Sequence, residues 1–547
     1  MTDNELSLAE SRNQRARNVA MASLNDVQVT PTGLVKYESR GKVLVVGGEQ
    51  AQWFATRLEK PLQAEVLLTD DCDELGVPTT PLAGRELKIT GHLGAFRIEI
   101  GEKGKHNYQL IETDMVMDLG TSPLLKSELP PPGYWYYNPD QDSLDAAWLE
   151  LDGMVGTFEK PKYFSYDADR CAHARSGNVA CTRCIDACPA DAIISIGEQV
   201  QVNPNLCQGG GVCATVCPSG AMRYAYPKSE DTLNRIRKML ATYITEGGTD
   251  PELVVFAEND ANIAPLQSPN RLSLMVEELA SVGLEVWLSA LAYGARKVLL
   301  VKGHALPMSV KAALDEQLSV KDDILNALGY PSSAVSYYIS DDDSGDEVKM
   351  PSVPLGTFMA FGNKRESMFF AIDHLVEHAP NKSSEVTLGS GAPFGTAMVD
   401  ADSCTLCLSC VGVCPGKALH TGDEIPQLFF VENNCLQCGM CVSTCPEDAI
   451  SISPRLLFDR EERNKKRVLY EEEPFCCISC GTPFATHKTI GNILEKLAGH
   501  AMFQSDRAKN RLKMCEDCRV VDAVQDSDAM QASLGKQTTY SPDKGRS

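Results

Sequence analysis

The sequence predicts a multidomain α/β protein in which α/β domains alternate with small cysteine-rich α+β units. The chain has 547 residues, enough for three or four domains that each bury their own core. Short apolar strands that end in glycine turns occur around 42–120, and strands alternate with helical patterns around 229–400. All but one of the 21 cysteines lie outside those stretches, in blocks whose spacing is typical of metal ligands rather than disulfides.

Charge, hydropathy and thiol chemistry restrict which classes of partner the chain could bind and in which compartment it could function. The net charge of −23 disfavours nucleic acids and anionic membrane surfaces, because both would be repelled, and suits a basic protein partner. The first 18 residues lack the apolar segment of a secretion signal, and no run approaches the 18 apolar residues of a membrane span. Thiolates that hold iron need a reducing compartment. We therefore expect a cytoplasmic protein without a membrane span.

The N-terminal part of the chain predicts a tail followed by a Rossmann-like α/β domain. Residues 1–40 are polar and aperiodic, which favours a mobile tail. Lys42–Gly48 (KVLVVGG) reads as a buried first strand that enters a turn. Gly47-Gly48 is not followed by the third glycine of a dinucleotide-binding fingerprint. The acidic residue about twenty positions on, Asp70 or Asp71, is weak support for nucleotide binding by itself.

Strand-like segments at Leu87–Ile100 and Asp114–Gly120 follow. In this order the features resemble the flavin-binding A subunit of heterodisulfide reductase. Asp118 and Leu119 stand where that family has Ala and Thr, and an acidic side chain suits a flavin pyrophosphate badly. We expect residues 41–165 to be a degenerate domain of this kind, without bound flavin or NAD. Cys72 is interpreted as a core residue.

The first cysteine block, residues 166–228, approximates a repeated run C-x2-C-x2-C-x3-C-P. Asn178 and Gly210 occupy two of the expected cysteine positions. Cys171, ten residues before Cys181, can fill the first vacancy from an inserted loop. His173 is a less suitable ligand, because that thiolate is already available. The block therefore predicts a third 4Fe-4S cluster, held by Cys171, Cys181, Cys184 and Cys217.

At the second vacancy, Gly210, a fourth site keeps three thiols, those of Cys188, Cys207 and Cys213. A 3Fe-4S cluster is the simplest expectation for such a site. The alternatives are a 4Fe-4S cluster with water or an outside ligand on the fourth iron, or an empty site. An open iron could act as a Lewis acid.

Residues 229–397 contain no cysteine and predict a small parallel α/β domain. We expect helices at Asp231–Ile244, Leu272–Ala280, Leu314–Leu328 and Lys364–Glu377, and strands at Leu253–Phe256 and Val298–Val301. Ala290–His304 (ALAYGARKVLLVKGH) resembles the delta subunit of methyl-viologen-reducing hydrogenase. Gly303-His304-Ala305 replaces that family's cysteine pair, so the resemblance implies a docking domain without its 2Fe-2S cluster. The acidic run Asp341–Glu347 is expected to be a solvated loop.

The second cysteine block, residues 398–456, contains two complete runs of the same motif. In each run three thiolates face one cluster, and the cysteine before proline ligates the neighbouring cluster. The predicted ligand sets are Cys404, Cys407, Cys410 and Cys445 for one 4Fe-4S cluster, and Cys435, Cys438, Cys441 and Cys414 for another. The block resembles a bacterial two-cluster ferredoxin, which implies an α+β ferredoxin-type unit. The block at 166–228 is expected to be a second unit of this type.

Two C-x2-C pairs form a C-terminal unit at 470–525, followed by a tail at 526–547 expected to be disordered. Cys477, Cys480, Cys515 and Cys518 can close a tetrahedral four-thiolate site, for which zinc is the usual occupant and a rubredoxin-type iron the alternative. We expect a zinc-ribbon-like unit with a helix at Thr486–Ala498. Cys476 lies outside the two pairs, and we expect it to be either a buried residue or an alternative ligand.

The sequence favours electron transfer over catalysis, since it contains no hydrolytic or phosphoryl-transfer motif. The segments KPKYFSYDADRCAH, CTRCIDACP, CQGGGVCATVCPSGA and MCEDCRV resemble polyferredoxins found with bacterial formate dehydrogenases. The resemblance implies a non-catalytic component that relays single electrons between a molybdenum or tungsten dehydrogenase and a redox partner. The alternatives are a flavin- or nicotinamide-binding oxidoreductase subunit and a redox-sensing or assembly protein.

Overall fold

The computed structural model describes residues 3–526, except 71, 73, 74, 103–107, 304, 339–349, 360–362, 423 and 424. His304, the acidic run Asp341–Glu347 and the tail from residue 527 onward therefore lie outside the described residues. The chain divides into two compact units. The first comprises Met1–Pro393 with Pro454–Arg460, and the second comprises Phe394–Ser453 with Glu461–Ser547.

The first element is a helix, α1 (Asp3–Ala22), where the sequence predicts a mobile tail. Ala16 and Ala20 are fully buried, and the Asn13 side chain accepts a hydrogen bond from the Thr249 amide at 2.9 Å. Arg17 donates to the Leu266 carbonyl at 2.8 Å. The expectation of a mobile tail is wrong because this largely polar helix buries two alanines one turn apart and forms hydrogen bonds to other segments of the first unit.

A parallel sheet forms the centre of the following domain, in the strand order β4-β3-β2-β8-β9. Strands β5, β6 and β7 form a separate antiparallel sheet, and β1 pairs with β10. Tyr134–Tyr136 form the edge strand of the main sheet, β9. The elements are β1 (Leu34–Ser39), β2 (Lys42–Gly47), α2 (Glu49–Thr56), β3 (Gln63–Leu68), β4 (Thr79–Pro81), β5 (Glu86–Thr90), β6 (Phe96–Gly101), β7 (Tyr108–Thr113), β8 (Met115–Asp118), β9, α3 (Leu144–Leu151) and β10 (Gly156–Pro161).

The first cysteine block folds into short antiparallel pairs that flank two short helices. β11 pairs with β16, β14 with β15, and β12 with β13. The β12–β13 hairpin is the loop inserted between Cys171 and Cys181. The elements are β11 (Phe164–Tyr166), β12 (Ala174–Arg175), β13 (Asn178–Val179), α4 (Arg183–Asp186), β14 (Ile193–Ile196), β15 (Gln199–Val202), α5 (Val212–Val216) and β16 (Met222–Tyr224).

The cysteine-free stretch contains a four-stranded parallel sheet in the order β18-β17-β19-β20, as its alternating pattern predicts. The predicted helix at Leu272–Ala280 is wrong: β18 occupies most of it, because Leu272, Leu274 and Val276 are buried at every second position. The elements are α6 (Ser229–Thr245), β17 (Glu252–Ala257), β18 (Arg271–Val276), α7 (Leu284–Ala292), β19 (Lys297–Val301), α8 (Met308–Leu328), β20 (Val335–Tyr338), α9 (Lys364–Glu377) and β21 (Glu385–Thr387).

The second unit consists of the second cysteine block and the C-terminal segment. Strands β23, β24 and β26 form an antiparallel sheet, and β27 pairs with β28. The elements are β22 (Gly395–Val399), α10 (Ser409–Val413), β23 (Leu419–Thr421), β24 (Gln427–Phe430), α11 (Met440–Thr444), β25 (Ile450–Leu457), α12 (Arg460–Asn464), β26 (Arg467–Glu471), β27 (Pro474–Cys476), β28 (Pro483–Thr486), α13 (His487–Leu497), α14 (Asp506–Arg511) and α15 (Glu516–Val524).

Residues 455–457, at the end of β25, belong to the first unit and pair there with β21. None of the helices in the described part of the chain combines the length and apolarity needed to cross a membrane.

Candidate metal centres

The second unit gathers eight cysteines around two cavities. Cys404, Cys407, Cys410 and Cys445 line one of about 380 Å³. Cys414, Cys435, Cys438 and Cys441 line the other, of about 370 Å³. Each cavity thus receives three thiols from one motif and the cysteine before proline from the other. The structure brings together both groups of four that the motif spacing predicts.

Both cavities have apolar walls, and this environment suits a charged cluster better than free thiolates. Leu406, Leu428 and Ile450 line the first cavity, and Leu419, Phe430 and Ile452 line the second. Burial, with the nearby Cys407 thiol, raises the pKa of Cys410 to about 12. Burial likewise raises the pKa of Cys441. Because the positively charged core of a cluster would offset part of the charge of four converging thiolates, these residues fit an iron–sulfur cluster.

A repeated backbone conformation shapes the thiol-bearing loops. Leu406 and Leu408 have φ of +52° and +59°, and Gln437 and Gly439 occupy the matching places of the next motif with +51° and +78°. In each loop the second of these residues is the N-cap of the short helix that carries the third cysteine. Non-glycine residues rarely adopt positive φ, so its recurrence at equivalent positions marks a functional loop.

The four Cys-Pro turns also share one geometry. Asp191, Lys417, Asp448 and Gly220 each lie three residues after a cysteine and have positive φ. After each turn a backbone N–H group donates to the thiol, at 3.2 to 3.4 Å, as Ala192 to Cys188, Met222 to Cys217, Ala418 to Cys414 and Ala449 to Cys445. Hydrogen bonds to sulfur tune the reduction potential of a bound cluster.

The first unit has a third group of four cysteines. Cys171, Cys181, Cys184 and Cys217 line a cavity of about 340 Å³, with Cys171 and Cys181 at either end of the β12–β13 hairpin. His173 is buried, and its ring nitrogens lie 2.9 Å from the Cys181 carbonyl and 2.7 Å from Ser195 Oγ. Both nitrogens are therefore engaged in hydrogen bonds, and the histidine orients the loop.

A fourth site contains three cysteines, Cys188, Cys207 and Cys213. Burial raises the pKa of Cys213 well above its usual value, and the thiols of Cys207 and Cys188 add to the shift. At Gly210 a Cβ atom would meet no other atom within 4 Å. Gly209 and Gly211 have φ of +86° and +74°, and they occupy the two positions at which the complete motifs also have positive φ. The loop therefore keeps the cluster-binding conformation although the second cysteine is missing.

Three side chains from outside this loop form hydrogen bonds to its backbone. Tyr37 Oη donates to the Asn205 carbonyl at 2.6 Å, and Tyr224 Oη donates to the Gly209 carbonyl at 2.9 Å. Lys160 Nζ donates to the Cys207 carbonyl at 2.6 Å. Burial lowers the pKa of Lys160 to about 8, although the nearby Cys207 thiol favours its charged form. Sequence reasoning missed these residues, because no local pattern connects strands β1 and β10 to the loop.

The C-terminal segment brings Cys477, Cys480, Cys515 and Cys518 together, with sulfur atoms within 4.8 Å of one another. Burial alone would raise the pKa of Cys477, but the backbone N–H groups of Cys515, Cys480 and Ser479 lower it to about 6. Four sulfur donors in this arrangement fit a tetrahedral zinc or iron site. Cys476 is exposed and outside the group.

The carboxyl edge of the first parallel sheet carries acidic groups where a dinucleotide fold would hold phosphates. Asp118, at the end of β8, is fully buried, and burial raises its pKa. It accepts hydrogen bonds from Tyr134 Oη at 2.5 Å, the Leu124 amide at 2.8 Å and the Gly120 amide at 3.0 Å. A Cβ atom at Gly48 would lie 2.7 Å from the Asp70 carboxylate. These residues do not fit a flavin or NAD pyrophosphate.

Two segments match models of known protein families. Residues 396–446 match a 4Fe-4S dicluster domain, and residues 200–223 match a 4Fe-4S binding domain. No curated protein matches the chain. The chain therefore contains two ferredoxin-type 4Fe-4S domains, one in each cysteine block.

One solved structure similar to this chain belongs to the formate dehydrogenase–heterodisulfide reductase–formylmethanofuran dehydrogenase complex from Methanospirillum hungatei. The match has 15% sequence identity and a TM-score of 0.17, and it covers 58% of this chain and 89% of that chain.

Proposed function

We propose that this chain is a non-catalytic electron-transfer subunit that holds three 4Fe-4S clusters and a fourth, incomplete cluster. The observation that carries the proposal is that three cavities are each lined by four cysteines, and each combines three thiols of one motif with the cysteine before proline of the adjacent motif. When bound, such clusters accept and donate single electrons. The protein supplies thiolates, apolar walls and N–H donors to sulfur.

At the fourth site we propose a 3Fe-4S cluster held by Cys188, Cys207 and Cys213. Its support is the retained left-handed conformation of Gly209 and Gly211 and the contacts of Tyr37, Lys160 and Tyr224 with the loop. A 4Fe-4S cluster with a non-protein fourth ligand is the alternative, and Gly210 leaves space for such a ligand.

We further propose zinc at Cys477, Cys480, Cys515 and Cys518, with a structural role. Structural zinc sites of this kind are closed by four protein ligands. The adjacent helix α13 contacts a cluster-binding loop: Thr489 Oγ1 donates to the Thr405 carbonyl at 2.7 Å, and Thr486 Oγ1 donates to the same carbonyl at 3.3 Å. A rigid C-terminal unit would hold the loop that follows Cys404.

As redox partner we propose a formate dehydrogenase of the molybdenum or tungsten class, in the cytoplasm. The cysteine-rich segments that resemble polyferredoxins support this partner, and the negative charge of the chain favours a basic docking surface. A bound flavin would favour the rival oxidoreductase function. A single cluster lost reversibly in air would favour redox sensing.

The test is a metal count with electron paramagnetic resonance (EPR) on anaerobically purified full-length protein. We expect about 15 irons per chain with a three-iron fourth cluster and about 16 with a four-iron one, together with one zinc. Reduction with dithionite should give signals of several reduced clusters. About eight irons would restrict the clusters to the second cysteine block, and almost no iron would reject electron transfer.

A further inference from the structure

The end of helix α9 and the residue that caps it bring together three side chains of types that can ligate a metal, in a stretch without cysteines. His374, Glu377 and His378 offer ligand atoms that all lie within 4.8 Å of one another. Their spacing, H-x-x-E-H, places them on one helical face, because residues three and four apart are neighbours on a helix surface.

A backbone carbonyl already orients the first histidine. His374 Nε2 lies 2.7 Å from the Pro354 carbonyl oxygen, so Nε2 carries the proton and donates it. The Nδ1 lone pair is then left for a metal. Histidine ligands in proteins generally donate their other ring N–H group in this way, which fixes the tautomer and the ring orientation.

The second histidine and the glutamate are available on the same face. The His374 and His378 rings are 4.8 Å apart between centroids, in an edge-to-face arrangement. Both histidines are half-buried, whereas Glu377 is exposed and, in the described part of the chain, forms no ion pair. The nearby Lys382 ammonium is directed at backbone, donating to the Glu377 and Val376 carbonyls at 3.0 and 3.2 Å. These hydrogen bonds direct the Lys382 ammonium to the backbone and not to the Glu377 carboxylate.

We propose that His374, Glu377 and His378 bind a divalent transition-metal ion, with zinc as the expected metal. Two imidazoles and one carboxylate match the preference of zinc and its neighbours in the first transition row. Magnesium and calcium prefer sites made of oxygen donors. The site is chemically distinct from the four-thiolate group at Cys477, and it is independent of the proposed electron transfer.

Calorimetric titration of the anaerobic full-length protein tests the site. The protein is treated with a chelator, its remaining iron and zinc are counted, and Zn²⁺ is then added. We expect the wild type to bind about one additional ion, because the donors suffice for one three-ligand site. His378→Ala should weaken binding by at least the ~10-fold that loss of an orienting partner alone costs. This variant keeps the hydrogen bond between His374 and Pro354, and unchanged cluster absorbance would show that it folds.

Glu377→Gln should also weaken binding, while Glu366→Gln in the first turn of the same helix and His420→Ala in the second unit should bind zinc as the wild type does. Hydrogen exchange supplies a second measurement: zinc should protect peptides that span 350–358 and 370–380 in the wild type but not in His378→Ala. Absence of additional zinc in the wild type, or equal affinity of the wild type and His378→Ala, would overturn the proposal.

Discussion

The cysteine that precedes proline in each complete motif lies with the other motif's thiols. Cys445 lines the cavity of Cys404, Cys407 and Cys410, while Cys414 lines the cavity of Cys435 and its neighbours. A single substitution in one motif should therefore damage the cluster whose other ligands come from the second motif. This exchange of cysteines between motifs distinguishes a two-cluster ferredoxin arrangement from two independent cluster sites.

Cys445→Ser should remove or weaken the cluster at Cys404, Cys407 and Cys410 and spare the one at Cys435. We expect a loss of about four irons per chain and of one reduced-cluster EPR signal, because a hydroxyl is a poorer iron ligand than a thiolate. Cys476→Ser is the matched control, since Cys476 is exposed and lines neither cavity. Wild-type iron content and reduction kinetics in Cys445→Ser would contradict the ligand assignment.

Gly210→Cys should complete the fourth site. A Cβ atom fits there without meeting another atom within 4 Å, and the backbone already has the conformation of the complete motifs. We expect the iron content to rise by about one per chain and the signal of an oxidised three-iron cluster to disappear in EPR spectra. Gly210→Ala adds the Cβ without a thiol and should leave the spectrum unchanged. An unchanged spectrum in Gly210→Cys would reject the three-iron site.

Among the elements, strands β8 and β9 are joined by a buried polar contact in addition to their backbone pairing. Asp118 accepts three hydrogen bonds, and Tyr134 Oη, which donates one of them, also accepts from the Leu124 and Leu125 amides at 3.1 and 3.2 Å. Without the tyrosine hydroxyl, the Leu125 amide and one carboxylate oxygen each lose a partner. Buried polar groups left unpaired destabilise the folded state.

Tyr134→Phe should therefore loosen this edge of the sheet by about 1–3 kcal/mol, the usual cost of an unsatisfied buried group. Hydrogen exchange of peptides spanning 115–125 measures the local free energy of opening. Tyr136→Phe, two residues along the same strand, serves as control and should leave the exchange unchanged. Wild-type protection in Tyr134→Phe would show that the hydroxyl adds nothing to this edge.

The elements also show where sequence reasoning succeeds. Helix α9 spans the predicted Lys364–Glu377, and α8 ends before Gly329, whose φ of +80° stops the helix. These predictions succeed because the signals are local. The helix predicted across β18 fails because Leu272, Leu274 and Val276 fit a strand as well, and only pairing with β17 selects it.

For the candidate sites, too, the sequence predicts what local spacing determines and misses what tertiary packing determines. Motif spacing predicts which thiols meet, because the ligands of a cluster lie at fixed distances along the chain. It does not predict Lys160 or Tyr37 at the Cys207 loop, because tertiary packing alone brings β10 and β1 there. Nor did it predict α1, whose inner face is marked by only two alanines and a few polar side chains.

At the scale of the whole molecule, the dominant property is the net charge of −23. The electric field of this charge attracts cationic reaction partners and concentrates them at the protein surface. The attraction weakens as salt shortens the Debye length from about 30 Å at 0.01 M to about 10 Å at 0.1 M. Electron entry from a basic partner should therefore depend on ionic strength, whatever cluster receives the electron.

Two reduced viologens of comparable reducing power test this field by stopped-flow reduction of the holoprotein. Oxidised methyl viologen carries two positive charges and its reduced radical one, whereas the sulfonated propyl viologen is neutral when oxidised and anionic when reduced. We expect the rate constant with reduced methyl viologen to fall by up to about tenfold between low and moderate salt, because screening removes the attraction. The rate constant with the sulfonated reductant should rise, because screening removes a repulsion. A rate that ignores salt for both would mean that electrons enter at a locally neutral surface, and a basic docking partner would then lose its support.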